Sequence, residues 1–154
     1  MSQEALHEVW KQYRSAEDKY VYFLLAVAGA GIALAVNRTA GSSISLSQLP
    51  LAAAVLSWAL SFFFGCRHIL YVNTILFDNY ELLQIESGTY RGVEGAPPIR
   101  GIASAAIREV IEEKSKKAVR HARRQFTFLV AGAFMYVAWH VVEMSLRSLG
   151  SITL

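Results

Sequence analysis

Three apolar runs dominate the alternation of hydrophobic and polar positions: residues 20–36, 49–66 and 126–142. Each is about 17–18 residues long, close to the shortest helix that crosses a bilayer. At about 1.5 Å per residue, each covers roughly 26 Å of a hydrocarbon core about 30 Å thick. Flanking tyrosines and basic side chains that reach back to the headgroups close the difference. Between the runs, apolar residues recur at three- and four-residue spacing. Leu6, Val9, Trp10, Tyr13 and Ala16 share one helical face, with Glu4, Glu8, Lys11 and Arg14 off it. Ile69, Val72, Leu76, Tyr80 and Leu83 continue a stripe beyond the second run, with Asp78, Glu81 and Glu86 outside it. A third stripe uses Ile102, Ala106, Val110, Ile111, Ala118, Val119 and Ala122. Glu112–Lys116 and Glu113–Lys117 add acid-before-base pairs in the order that favours a helix.

The pattern predicts an all-α membrane protein in which three transmembrane helices continue into a cytoplasmic three-helix stalk. Its parts are an amphipathic cytoplasmic helix 3–19, a first span 20–36, an outer loop 37–48 and a second span 49–67. A cytoplasmic helix 68–87, a tip loop 88–100, a cytoplasmic helix 101–124, a third span 125–146 and an outer tail 147–154 complete the chain. The tip loop is placed by the glycines and prolines of TYRGVEGAPPIRG, and the preceding helix should end near Ser87 and Gly88.

Composition agrees: 154 residues suit one domain, and 54% of them are hydrophobic, above the globular norm of roughly 45–50%. A soluble bundle would have to bury three helices apolar on every face, more than one small domain can cover. The first run follows nineteen residues of mixed charge, unlike the short basic leader of a cleaved signal peptide. The lone Cys66 excludes an internal disulfide framework.

Charge sets the orientation. Of fifteen lysines and arginines, Arg38 alone lies in the outer loop and Arg147 alone in the C-terminal tail. The positive-inside rule then predicts a cytoplasmic N-terminus, an outside C-terminus and, in a bacterial cell, residence in the inner membrane. The net charge of +3 thereby reports topology and gives no sign of a nucleic-acid partner. Within FFFGCRHILYVN (62–73), Arg67 falls at the inner boundary, level with Lys19 and Arg124. Glu17 and Asp18 are the acids expected to pair with it at the membrane edge.

Candidate chemistry is sparse. Ala53, Ser57, Ser61 and Gly65 repeat every fourth residue in the second span, and the first carries Ala26, Ala30 and Ala33. Small residues at this spacing let helices approach closely in lipid, within one chain or between copies, so a homo-oligomer is expected. His140 and Glu143, three apart in the outer part of the third span, could form an ion or proton site. Arg147 offers Glu143 an outer i,i+4 ion pair as the structural explanation. Lys114, Lys116, Lys117, Arg120, Arg123 and Arg124 form a basic run beside the membrane, suited to anionic lipid headgroups. Cys66 and His68 point about 200° apart on a helix and cannot grip one metal ion. Asn37-Arg38-Thr39 fits a glycosylation pattern but abuts the membrane end and is read as a chance match.

No phosphate loop, nucleophile elbow or HExxH motif is present. No cofactor is expected. The chain is expected to be a non-enzymatic membrane assembly or interaction component, with a possible cytoplasmic protein partner. The alternatives are an oligomeric pore or effector with His140 and Glu143 in the ion path, and a membrane enzyme built from scattered residues. The arrangement of three spans and a helical extension resembles that of SLATT-type bacterial effectors in layout alone, which would imply pore formation.

Overall fold

The computed structural model describes residues 3–40, 46–90 and 97–150. Among them are three α-helices, α1 (Gln3–Thr39), α2 (Leu49–Ser87) and α3 (Pro97–Gly150), with a short 3-10 turn (Leu46–Gln48) before α2 and no strand. At 37, 39 and 54 residues, the helices run about 55, 58 and 80 Å. Each is unbroken, and all three are long and apolar enough to cross a membrane, which suggests membrane association.

The helix ends follow local chemistry. The α2 helix closes at Gly88, whose φ of 75° is left-handed backbone that glycine adopts without a steric penalty. This lets the Gly88 amide bond to the Ile85 carbonyl at 3.1 Å and the Thr89 amide to that of Gln84 at 3.0 Å. Helix α3 starts at Pro97, four residues ahead of the expected 101, because Pro97 and Pro98 carry the fixed φ that suits a first turn and lack only amide protons that would be orphaned there. At its other end α3 runs through residues assigned to an outer tail and stops at Gly150. Helix α1 extends three residues past the expected 36, the Thr39 hydroxyl bonding the carbonyls of Ala35 and Val36. Most of the expected tip loop, and most serines of the outer loop, lie outside the described residues.

The chain divides into two compact units. The first comprises Met1–Gly65 and Arg124–Leu154. Its core is Leu24, Ala28, Ala35, Leu51, Ala54, Trp58 and Leu129. The indole of Trp58 sits against two glycines from different helices. A Cβ at Gly31 would come 2.8 Å from its ring, and one at Gly132 would come 2.6 Å from it. The small residues of α2 are used in the same packing. The Ser61 hydroxyl donates to the Gln125 carbonyl at 2.8 Å, Ser57 approaches the Met135 sulfur at 3.7 Å, and Gly65 is packed against Gln125 and Leu25.

The second unit, Cys66–Arg123, is an antiparallel pair of helical segments. From one end to the other, His68 Nδ1 lies 3.0 Å from the Ala118 carbonyl and Tyr71 stacks on His121. Asp78 then pairs with Lys114, and Glu86 with Arg108, both at 2.6 Å. The inward face corrects the expected stripe. Asp78, which lies off that stripe, is buried, whereas Leu76, Tyr80 and Leu83 on it are exposed. A buried carboxylate needs a partner, and Lys114, thirty-six positions along the chain, supplies a charge that spacing along one helix does not reveal.

Candidate functional site: a polar cavity at the Thr39 end of the first unit

An aromatic series leads out of the first unit's core. Trp58 contacts Tyr136 with ring centres 5.7 Å apart, Tyr136 contacts Trp139 at 5.6 Å, and Trp139 contacts His140 at 6.3 Å. Residues 136, 139 and 140 fall at the three- and four-residue spacing that shares one helix face. Beyond Trp139 lies a cavity of about 160 Å³ lined by Arg38, Thr39, Gln48, Trp139, His140, Glu143 and Met144.

Three elements position these groups. Helix α1 delivers Arg38 in its last turn and the 3-10 turn delivers Gln48. Helix α3 delivers Trp139 and His140 from one turn and Glu143 from the next. The cavity therefore combines a guanidinium, a carboxylate, an imidazole and an amide. The indole Nε1 of Trp139 is buried and has no hydrogen-bond partner among the described residues. Glu143 and Gln48 each also engage another group of the protein. The expected contact of Glu143 with the Arg147 side chain falls outside the described residues.

The two residues marked by their membrane depth, His140 and Glu143, thus share a site, and Arg38, Gln48 and Trp139 join them. Arg38 carried a signal as the only basic residue between the first two apolar runs. Gln48 carried none, because only the return of α2 brings it to the end of α1.

The other marked residues are placed as follows. Ser57, Ser61 and Gly65 are buried and Ala53 is half-buried, all on the intramolecular face of α2. Ala26, Ala30 and Ala33 are exposed, since α1 packs through Val21, Leu24, Ala28 and Ala35 instead. Arg67, in the second unit, extends its guanidinium forward to the Tyr71 hydroxyl at 3.3 Å and over that ring at 5.3 Å. Helical side chains normally lean towards the N-terminus, so Arg67 is reaching away from the apolar run that precedes it. Glu17 is half-buried and Asp18 exposed, both in the first unit.

The basic run is partly neutralised. Lys114, Lys116 and Lys117 are paired with Asp78, Glu112 and Glu113 at 2.6–2.7 Å. Hydrogen bonds from Lys116 and Lys117, and then their charges, hold the Glu112 and Glu113 carboxyls below the usual range; the reciprocal bonds raise both lysines. Arg120, Arg123 and Arg124 are exposed, with Arg124 over the Phe64 ring at 5.5 Å.

No family model, curated protein or solved structure matches this chain.

Proposed function

We propose that the protein is a non-enzymatic integral membrane component that self-associates within the bilayer. In this reading residues 20–36, 49–67 and 125–146 cross a bacterial inner membrane, with the N-terminus cytoplasmic and the C-terminus outside. The segments beyond the inner boundary form a cytoplasmic stalk that can receive a protein partner. Arg67 marks that boundary at headgroup depth, and Arg120, Arg123 and Arg124 meet anionic lipid there. The forward reach of the Arg67 guanidinium supports this depth, since a charge near the end of a span gains by turning towards the headgroups.

The observation that carries the assembly reading is the division of labour among small residues. The α2 set is consumed within the chain, whereas Ala26, Ala30 and Ala33 leave a low-relief face of α1 exposed at span depth. A helix face of this kind permits close backbone approach by a second copy. The test is the mass of the wild-type protein and of an Ala26→Leu/Ala30→Leu/Ala33→Leu variant in mild maltoside, by native mass spectrometry. Wild-type oligomers that become monomers in the variant, with helix content unchanged, support the reading. A monomeric wild type removes it.

The polar cavity favours a second reading, an oligomeric pore or effector in which His140 and Glu143 contribute to an ion path. Three helices enclose no conduit alone, so this reading also requires several copies. Flux from liposomes that is unaltered in both His140→Ala and Glu143→Gln excludes those residues from conduction. The enzyme reading has less support. The cavity offers one hydroxyl, on Thr39, and that hydroxyl is bonded to its own helix.

A further inference from the structure

We infer that α1 pairs with the same helix of a second copy as a parallel coiled coil that runs from the segment before the first span into the bilayer. The inference rests on the self-association reading above and supplies its geometry.

Spacing carries it. With Leu6 as position a of a heptad, Leu6, Tyr13, Tyr20, Val27 and Leu34 fall at a. Val9, Ala16, Phe23 and Ala30 fall at d. The seam is apolar at every position for about four heptads, a length at which this repeat argues for a coiled coil. All of these side chains are exposed, although they lie on one unbroken helix. The residues that α1 buries within its own chain are others, Val21, Ala28 and Ala35 at b and Leu24 at e. Packing inside the chain thus uses a face about 100° round the helix and leaves the a/d seam open.

Charge agrees with the register. No charged residue stands at a or d. Glu8, Lys11, Arg14 and Asp18 fall at c, f, b and f, the outward positions of a pair. In a parallel pair Glu17 at e lies opposite the partner's Gln12 at g, whose amide can donate to the carboxylate. Within the first span the g positions are Ala26 and Ala33, small enough to let two helices approach closely in lipid.

The segment before the span decides between occupants. Leu6, Val9 and Tyr13 are 51%, 61% and 67% exposed there, where no hydrocarbon covers them in the topology proposed above. Because α1 is continuous, this segment follows the direction of the span and cannot lie flat on the bilayer as a surface helix does. A second copy offers the same 3.5-residue repeat, and the membrane fixes every copy in the same direction. The exposed seam amounts to roughly 600 Å² per copy, near the ~800 Å² per partner of a standard interface once flanking residues are added.

Disulfide mapping tests the inference on the full chain in phosphatidylethanolamine/phosphatidylglycerol vesicles, with Cys66→Ser as background. Single cysteines are placed on the seam (Val9→Cys, Ala16→Cys, Leu34→Cys) and at exposed positions off it (Lys11→Cys, Ser15→Cys, Val36→Cys). Copper phenanthroline in air oxidises two facing thiols to a disulfide, with dioxygen taking the electrons, so the covalent dimer reports which faces meet. Each seam cysteine should cross-link at least tenfold faster than its off-seam neighbour, at both ends of α1. Exposure alone predicts equal rates. Tyr13→Glu sets like charges against each other on the seam and should slow cross-linking at position 9 tenfold or more, with helix content unchanged.

Equal rates on and off the seam, or faster cross-linking off it, overturn the coiled coil. In whole membranes, seam cysteines joined to a different protein and never to a second copy also overturn it. Native mass spectrometry of the wild type keeps the two readings apart. Oligomers combined with an off-seam cysteine pattern sink the coiled coil alone, whereas a monomer sinks both.

Discussion

Trp58 and Gly132 are complementary: the indole occupies the space a side chain at position 132 would need. A Cβ there would lie 2.6 Å from Cδ1 and Nε1 of the ring and 3.1 Å from the Ala54 carbonyl oxygen. Neither the rigid indole nor the helical carbonyl can retreat easily. Gly132→Ala should therefore destabilise the protein by about 1–3 kcal/mol through overpacking. Trp58→Ala should cost about 3–5 kcal/mol through the cavity it leaves. Adding Gly132→Ala to Trp58→Leu should cost less than Gly132→Ala alone, because the two sites compete for one volume. Reversible unfolding in mixed micelles reads all the variants, and strict additivity would disprove the competition.

Asp78 and Lys114 make a different kind of contact, a 2.6 Å ion pair whose side chains are only 12% and 27% exposed. Removing one partner leaves the other charge poorly solvated. Asp78→Ala or Lys114→Ala should each cost about 1–3 kcal/mol, below the loss from a fully buried pair because water still reaches Lys114. The exchanged variant Asp78→Lys/Lys114→Asp should recover part of that loss. The more exposed Arg108–Glu86 pair should contribute less than 1 kcal/mol. Equal losses at the two pairs would argue against burial as the cause.

These contacts show which parts of the architecture were legible in the sequence. The three helices were, because long apolar runs and three-to-four spacing are local properties. The end of α2 was legible because a left-handed residue after a helix is most easily glycine. The start of α3 was placed late because prolines were read as loop formers when they also suit a first helical turn. The inward face of the second unit could not be read locally. Asp78 is buried where α3 brings Lys114 beside it, while Leu76 and Tyr80 are exposed. The cavity was half-legible: His140 and Glu143 stood out as ionisable residues in an apolar run, whereas Gln48 reaches them only through the turn between α1 and α2.

The Glu112–Lys116 and Glu113–Lys117 pairs should give the basic segment a defined pH window. Both carboxyls are depressed below their ordinary 4.5, so their contribution is present above that value and is lost as pH falls through the depressed one. Both lysines are raised above 10.5, so theirs is present below that value and is lost as pH rises through the raised one. Side-chain NMR titration should show Glu112 and Glu113 protonating below the ordinary 4.5. The difference should shrink in 1 M salt, where the Debye length is about 3 Å. A Glu112→Gln change should abolish the elevation at Lys116 and leave Lys117 raised.

Gln125 poses the sharpest test of the first unit's packing. Its side chain is fully buried, and neither Nε2 nor Oε1 has a hydrogen-bond partner among the described residues. Its backbone carbonyl accepts the Ser61 hydroxyl, and its amide group presses on Gly65, where an added Cβ would lie 2.6 Å from Nε2. An unsatisfied buried amide costs about 1–3 kcal/mol, whereas an apolar group of the same shape carries no such penalty. Gln125→Met, nearly matched in length and volume, should therefore raise stability by about 1 kcal/mol. Gln125→Ala removes the same polar atoms but leaves a void, and should lower stability. Unfolding in mixed micelles separates the two effects. A loss of stability in Gln125→Met would mean that the amide is satisfied in the folded protein, and the buried-amide penalty would have to be abandoned.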